Sequence, residues 1–129
     1  MYDTISRIIC DTLNIRIYTV NSLNSVKEIT EIHQTTPNAT VALGRTVSAA
    51  GLLSATLKPE SDQTISIKFS GSGPLKELYV QCDAKGNVRG YVSQPDMDYT
   101  VDLGSINFSK AIGAGFLTVV KDLGMREPY

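Results

Sequence analysis

Residues 64–95, TISIKFSGSGPLKELYVQCDAKGNVRGYVSQP, constrain the fold more than any other part of this chain. Ile65, Ile67 and Phe69 alternate with Ser66 and Lys68. Leu78, Val80 and Cys82 alternate with Tyr79 and Gln81, and Val88 and Val92 oppose Arg89 and Tyr91. A period of two with one apolar and one mixed face belongs to strands covered on one side. Gly71-Ser72-Gly73-Pro74 and Asp83-Ala84-Lys85-Gly86-Asn87 separate the runs, and both have turn composition. The pattern predicts an antiparallel meander with strands at 64–70, 75–82 and 88–94. Gly90 inside the third strand predicts a bulge or the close approach of another backbone.

Upstream, the period changes. Residues 39–57, ATVALGRTVSAAGLLSATL, are small or apolar on nearly every side. Thr36-Pro37 supplies an N-cap and a proline at the first helical position, and Lys58-Pro59 supplies a stop. One long central helix packed on a sheet is expected. Gly44, Ser48, Gly51 and Ala55 recur at three- and four-residue steps and would let the sheet approach closely. Arg45 should reach solvent or a carboxylate. Its position near the middle of the run argues against a membrane span, because a charge there is costly in lipid.

The remaining elements are shorter. Ile5, Arg7 and Ile9, then Ile15 and Ile17, mark two strands with a turn at Leu13-Asn14. Ser22 is placed to cap a helix whose apolar stripe is Leu23, Val26, Ile29 and Ile32, and His33 ends it. Glu60-Ser61-Asp62 reads as a loop, as does the acidic stretch 95–104. Asn107 is placed to cap a single turn at 108–112 that Gly113 ends, and a last strand is expected at 116–121. Residues 1–129 read as a single α+β domain.

Composition narrows the function classes. A hydrophobic fraction of 42% with 19% charged residues is that of a globular domain. The formal net charge of -1 has no basic footprint for nucleic acid or an anionic membrane surface. Cys10 and Cys82 stand alone and have no zinc-ligand spacing with the single histidine, His33. Two half-buried thiols in a reducing cytoplasm are expected, with a Cys10–Cys82 disulfide left open. Met1-Tyr2-Asp3 lacks the basic start of a signal peptide, and no apolar segment with a cleavage site follows. The expected location is cytoplasmic.

Candidate chemistry is sparse. A phosphate loop needs glycines between a strand and a helix, whereas another strand follows Gly71-Ser72-Gly73-Pro74. Cys10 or Cys82 with His33 would be the thiol–imidazole pair, and nothing in the spacing joins them. Asp96 and Asp98 fall in a loop. The expectation is no catalytic centre, no metal site and no enzyme. What remains is a β-surface with apolar and aromatic side chains. Tyr79, Tyr91 and Val92 are assigned to one face and Phe69 and Val80 to the other, and exposed apolar surface of this kind marks binding sites.

The two turns of residues 64–95 and the exit Val88-Arg89-Gly90-Tyr91-Val92 resemble those of the heat shock protein 33 (HslO) family. The helical run ATVALGRTVSAAGLLSATLK and the closing VKDLGMREPY extend the resemblance in the family's order. The resemblance implies a fold of crossed, mixed or antiparallel β-sheets packed with helices. It implies that the chain is the first part of an N-terminal, client-binding domain. The implied function is that of a redox-regulated holdase chaperone, which binds unfolding proteins and prevents their aggregation under oxidative and heat stress. Its partners are unfolded or partly folded clients, with no nucleic acid and no membrane; a homodimer is expected separately, from the unpaired edge of the last strand at 116–121. Phe69, Tyr79, Val80, Tyr91 and Val92 are the candidate client-binding residues. In the family, Cys-x-Cys and Cys-x-x-Cys pairs of a C-terminal module bind zinc and act as the switch. Neither pair occurs here, so no cofactor is expected in this chain. The alternative reading is a small-ligand-binding or enzyme domain using the Gly-rich turns.

Overall fold

The computed structural model describes residues 2–97 and 108–126. The acidic loop beyond residue 97, with Asp98, and the cap at Asn107 lie outside them. The chain is α+β, with two antiparallel sheets and three helices among the described residues. Strands β1 (Thr4–Cys10) and β2 (Ile15–Asn21) form a hairpin, turned at Asn14 with φ 56°. Helices α1 (Leu23–His33) and α2 (Pro37–Ser54) follow. The predicted meander is present as β3 (Thr64–Gly71), β4 (Glu77–Asp83) and β5 (Val88–Val92). The short helix α3 (Phe108–Ile112) leads to β6 (Gly115–Asp122), which pairs antiparallel with β3. The larger sheet therefore has the order β5-β4-β3-β6.

Helix α2 is the central helix the sequence predicts, and it ends at Ser54, three residues short of the expected 57. It packs on β3, β4 and β5, and Ala39, Ala42, Leu43, Val47 and Ala50 are buried against Ile65, Ile67, Leu78 and Val80. Its glycine face does not meet this sheet. A Cβ at Gly51 would lie 3.0 Å from Val20 Cγ2, and one at Gly44 would lie 3.2 Å from Val26 Cγ1. The small residues instead admit α1 and the β1–β2 hairpin. The register of β4 and β5 runs through Gly90 without a bulge, so close approach is the reason for that glycine: a Cβ there would sit 2.8 Å from Val80 Cγ2.

Neither expected cap acts through its own side chain on its helix. Ser22 Oγ pairs with Ser48 Oγ at 2.8 Å, and the α1 N-terminus is capped instead by Asp3, the residue before β1. The Asp3 carboxylate accepts from the Asn24 N–H at 2.9 Å and from the Ser25 N–H and hydroxyl at 2.6 Å each. Thr36 Oγ1 donates to Met97 O at 2.7 Å and so ties the segment after β5 to the start of α2. At the other end of α2, Arg7 Nε donates to the Ala55 carbonyl at 2.7 Å, where the helix dipole favours a cation.

Candidate functional site

The inner face of the larger sheet extends beyond the helix that covers it. One cross-strand row runs Val92, Leu78, Phe69, Leu117, and the next runs Val80, Ile67, Val119. Exposure rises along both rows towards β6. Val92 is 4% exposed, Phe69 half-buried and Leu117 67% exposed, while Val80 is 0% and Val119 45%. All these side chains point to the helix side, yet α2 lies over β3 to β5. The uncovered part is an apolar groove of about 580 Å³ between α2, α3 and β6, floored by Ile67, Phe69, Leu117 and Val119. Ala49 and Leu53 of α2 and Ile112 of α3 form its walls, and Arg45 stands among the lining residues.

The opposite face of the sheet is a polar network around two tyrosines. Tyr79 and Tyr91 are cross-strand neighbours with ring centroids 5.9 Å apart, a separation typical of interacting aromatic pairs. Tyr79 Oη donates to Ser66 Oγ at 3.1 Å, and Gln81 Nε2 donates to the same oxygen at 3.2 Å. Arg89 grips Gln81 Oε1 through Nε and Nη2 at 2.9 and 2.6 Å. Glu77 accepts from Tyr91 Oη at 2.9 Å and pairs with Lys68 Nζ at 2.9 Å. The hydrogen bond from Lys68, followed by that from Tyr91, holds the Glu77 carboxyl below its usual range. The same contacts with Glu77 raise the Lys68 ammonium and the Tyr91 phenol.

The candidate residues thus divide differently from the sequence assignment. Tyr79 and Tyr91 share the outer face, as expected, but Val92 does not join them. It lies on the inner face with Val80, and both are core residues beneath α2. The correction follows from strict alternation, since Val92 must face away from its neighbour Tyr91. Phe69 alone of the inner-face candidates reaches the groove. Leu117, Val119 and Ile112, which complete it, were not among the candidates. The alternation of Leu117 and Val119 was a sufficient signal for a strand but carries no information about what covers it.

The Gly71–Pro74 turn has no free amides for an anion. Ser72 N donates to Ala114 O at 2.8 Å and Gly73 N to Ile112 O at 2.9 Å. A Cβ at Gly73 would collide with the Ala111 and Ile112 carbonyls, so glycine is required for the α3–β6 segment to lie against the turn. The thiols are free. Cys82 is buried rather than half-buried, and burial raises its pKa. Cys10 lies at the far end of the hairpin, where the Thr12 hydroxyl at 3.4 Å lowers its pKa. Nearby Ile8, Ile15 and Ile17 form a second exposed apolar face on the hairpin.

This fold and these surfaces define an α+β protein with accessible apolar contact surfaces among the described residues. The chain belongs to the Hsp33 protein family, whose sequence model matches residues 3–129. It is 44% identical over 119 residues to a 33 kDa chaperonin of Aquifex aeolicus (strain VF5), covering 89% of this chain and 37% of that protein. It is 40% identical over 130 residues to a 33 kDa chaperonin of Geobacter sp. (strain M21), covering 100% of this chain and 43% of that protein. The crystal structure of the 33 kDa chaperonin (heat shock protein 33 homolog) from Thermotoga maritima superposes with a TM-score of 0.87 at 29% identity. That match covers 97% of this chain and 43% of the other. The chain thus spans about two fifths of the length of these relatives. Among the described residues, no helix is long and apolar enough to cross a membrane.

Proposed function

We propose that this chain is a client-holding part of a cytoplasmic, redox-regulated holdase chaperone, without enzymatic activity of its own. The observation that carries the reading is the groove at Phe69, Leu117 and Val119. It is an apolar surface left open on the inner face of a sheet, in a chain whose relatives are named 33 kDa chaperonin. An unfolding client exposes apolar side chains, and their transfer from water into the groove is favourable without a specific sequence. Phe69 supplies the floor, and Leu117 and Val119 supply the outer contact. Tyr79 and Tyr91 add an amphipathic patch on the other face. Val80 and Val92 support the sheet from within and contact no client while it is folded.

Redox control belongs in this reading to a zinc-binding module with paired cysteines, in a longer protein than the present 129 residues. Neither the buried Cys82 nor the distant Cys10 is assigned a part in it. The test has two arms. The 129-residue chain should delay light scattering by a thermally unfolding client, and Leu117→Asp should weaken that delay several-fold while leaving the circular dichroism unchanged. Equal suppression by the variant would remove the groove from the reading. A relative-length protein carrying the paired cysteines should suppress aggregation after oxidation and poorly when reduced; equal suppression in both states would remove redox control.

A further inference from the structure

A cavity of about 220 Å³ lies where the β1–β2 hairpin meets both helices and the β4–β5 turn, and all its lining residues fall between Asp3 and Val88. Alternation and register turn Ile5 and Arg7 of β1 to the same side of the hairpin as Val20 of β2. The floor is buried and mostly apolar. It consists of Val47 and Gly51 of α2, with Cys82 and Ala84 at and just past the end of β4. The rim is cationic, because Arg7 and Lys85 reach it from separate elements and both are exposed. Arg7 uses Nε on Ala55 O, which leaves Nη1 and Nη2 for a second acceptor. The Lys85 ammonium is in no salt bridge among the described residues. The two carboxylates near these cations are already occupied. Asp3, which also lines the cavity, accepts three hydrogen bonds from the start of α1. Asp83, outside the lining, accepts from the Lys85 N–H and from the main-chain and side-chain amides of Asn87.

We propose that this cavity binds a short-chain aliphatic carboxylate, with the charged end at the rim and the apolar body on the floor. The free edge of a guanidinium presents two parallel donors to a carboxylate, and an ammonium adds a point charge. The aliphatic body lies against Val20, Val47 and Val88, where its removal from water is favourable. Other ligand classes fail on one wall or another. A cation would face Arg7 and Lys85 with both nearby carboxylates already engaged. A bare inorganic anion would leave the apolar floor unused. A nucleotide is too large, since the volume falls below the roughly 300–1,000 Å³ of pockets that hold drug-sized ligands. The bound carboxylate bridges the hairpin to the β4–β5 turn, a junction where Ile5 otherwise lies against Gly86. The site is separate from the groove at Phe69 and Leu117, and either could fail without affecting the other.

The probe is 3-methylbutanoate, titrated into the 129-residue chain and followed by amide and methyl NMR. Saturable shifts are expected at the Gly86 amide and at the methyl groups of Val20, Val47 and Val88. A ligand of so few atoms should have a dissociation constant on the order of 1 mM. Two analogues separate the contributions. 3-Methylbutanamide keeps the shape without the charge, and acetate keeps the charge without the body. Each should bind at least about tenfold more weakly. Lys85→Gln, at an exposed side chain, should weaken 3-methylbutanoate about threefold and leave the circular dichroism unchanged. The proposal is overturned if no saturable shift develops up to tens of millimolar, or if either analogue binds as well as the probe. Shifts centred on Phe69 and Leu117 would place the ligand in the groove and overturn it too. So would an affinity that Lys85→Gln leaves unchanged.

Discussion

Asp3 and Arg7, at the start and middle of the first hairpin, attend to opposite poles of two helices. The Asp3 carboxylate meets the N–H groups at the start of α1, and the Arg7 guanidinium meets a carbonyl at the end of α2. Each charge sits where the helix dipole favours it. The hairpin is thereby fastened to both helices by its charged residues, while its outer isoleucines remain exposed.

The Asp3 cap makes stability depend on pH in a defined direction. Partial burial raises the Asp3 pKa, but the bonds from Ser25 and Asn24 outweigh it, and the folded value lies below 3.8. A depressed carboxylate contributes stability that is present above the unfolded pKa and lost as pH falls through the folded one. Asp3→Ala should therefore cost about 1 kcal/mol at pH 7. The difference from the unsubstituted chain should shrink as pH falls from about 4 towards 2. Urea denaturation of both proteins at several pH values measures it, and a constant difference would count against the cap.

Val80 and Tyr91 are both candidate client-binding residues in sequence but should respond differently to substitution. Val80→Ala removes two buried methyl groups beneath α2 and should cost about 2 kcal/mol. Tyr91→Ser, at a side chain 40% exposed, should cost less and should lower the Glu77 titration constraint, which NMR titration of Glu77 would show as a rise towards the ordinary carboxylate range.

The two thiols should label at very different rates. Cys10 is accessible and its pKa is lowered, so iodoacetamide should modify it in the native chain. Cys82 is buried with a raised pKa and should react only when the sheet opens, at least about a hundredfold more slowly. Mass spectrometry over a labelling time course distinguishes them. Comparable rates would mean that β4 opens readily.

Gly73→Ala places a methyl group against two backbone carbonyls, which cannot swing aside as a side chain can. The α3–β6 segment would have to shift, at a cost of about 1–3 kcal/mol. Hydrogen exchange should rise first in β6, ahead of β4 and β5. Uniform exchange across all four strands would show that β6 unfolds only with the whole sheet.

The elements themselves were legible because their signals are local. Alternation marked β3, β4 and β5, and Pro37 and Pro59 bracketed α2, which ends slightly early. The same alternation places Val92 on the face opposite Tyr91, so its face is legible in the sequence, while its burial depends on α2 lying over β5. Asp3 as the cap of α1 was not readable, because the acceptor lies far from Asn24 and Ser25 in the chain and Ser22 offered a nearer candidate.

By itself, the sequence determined the order and type of the elements, the two faces of each strand and the need for glycine at close approaches. Those properties depend on backbone sterics and side-chain period, which act over a few residues. The tertiary structure decided that β6 pairs with β3, that α2 stops short of β6 and that Leu117 and Val119 consequently stay open while Val80 does not. Leu117 and Val80 both point to the helix side, and their own sequence patterns are alike. Their difference arises from the finite width of one helix laid across a wider sheet, a relation between distant segments that no local pattern contains.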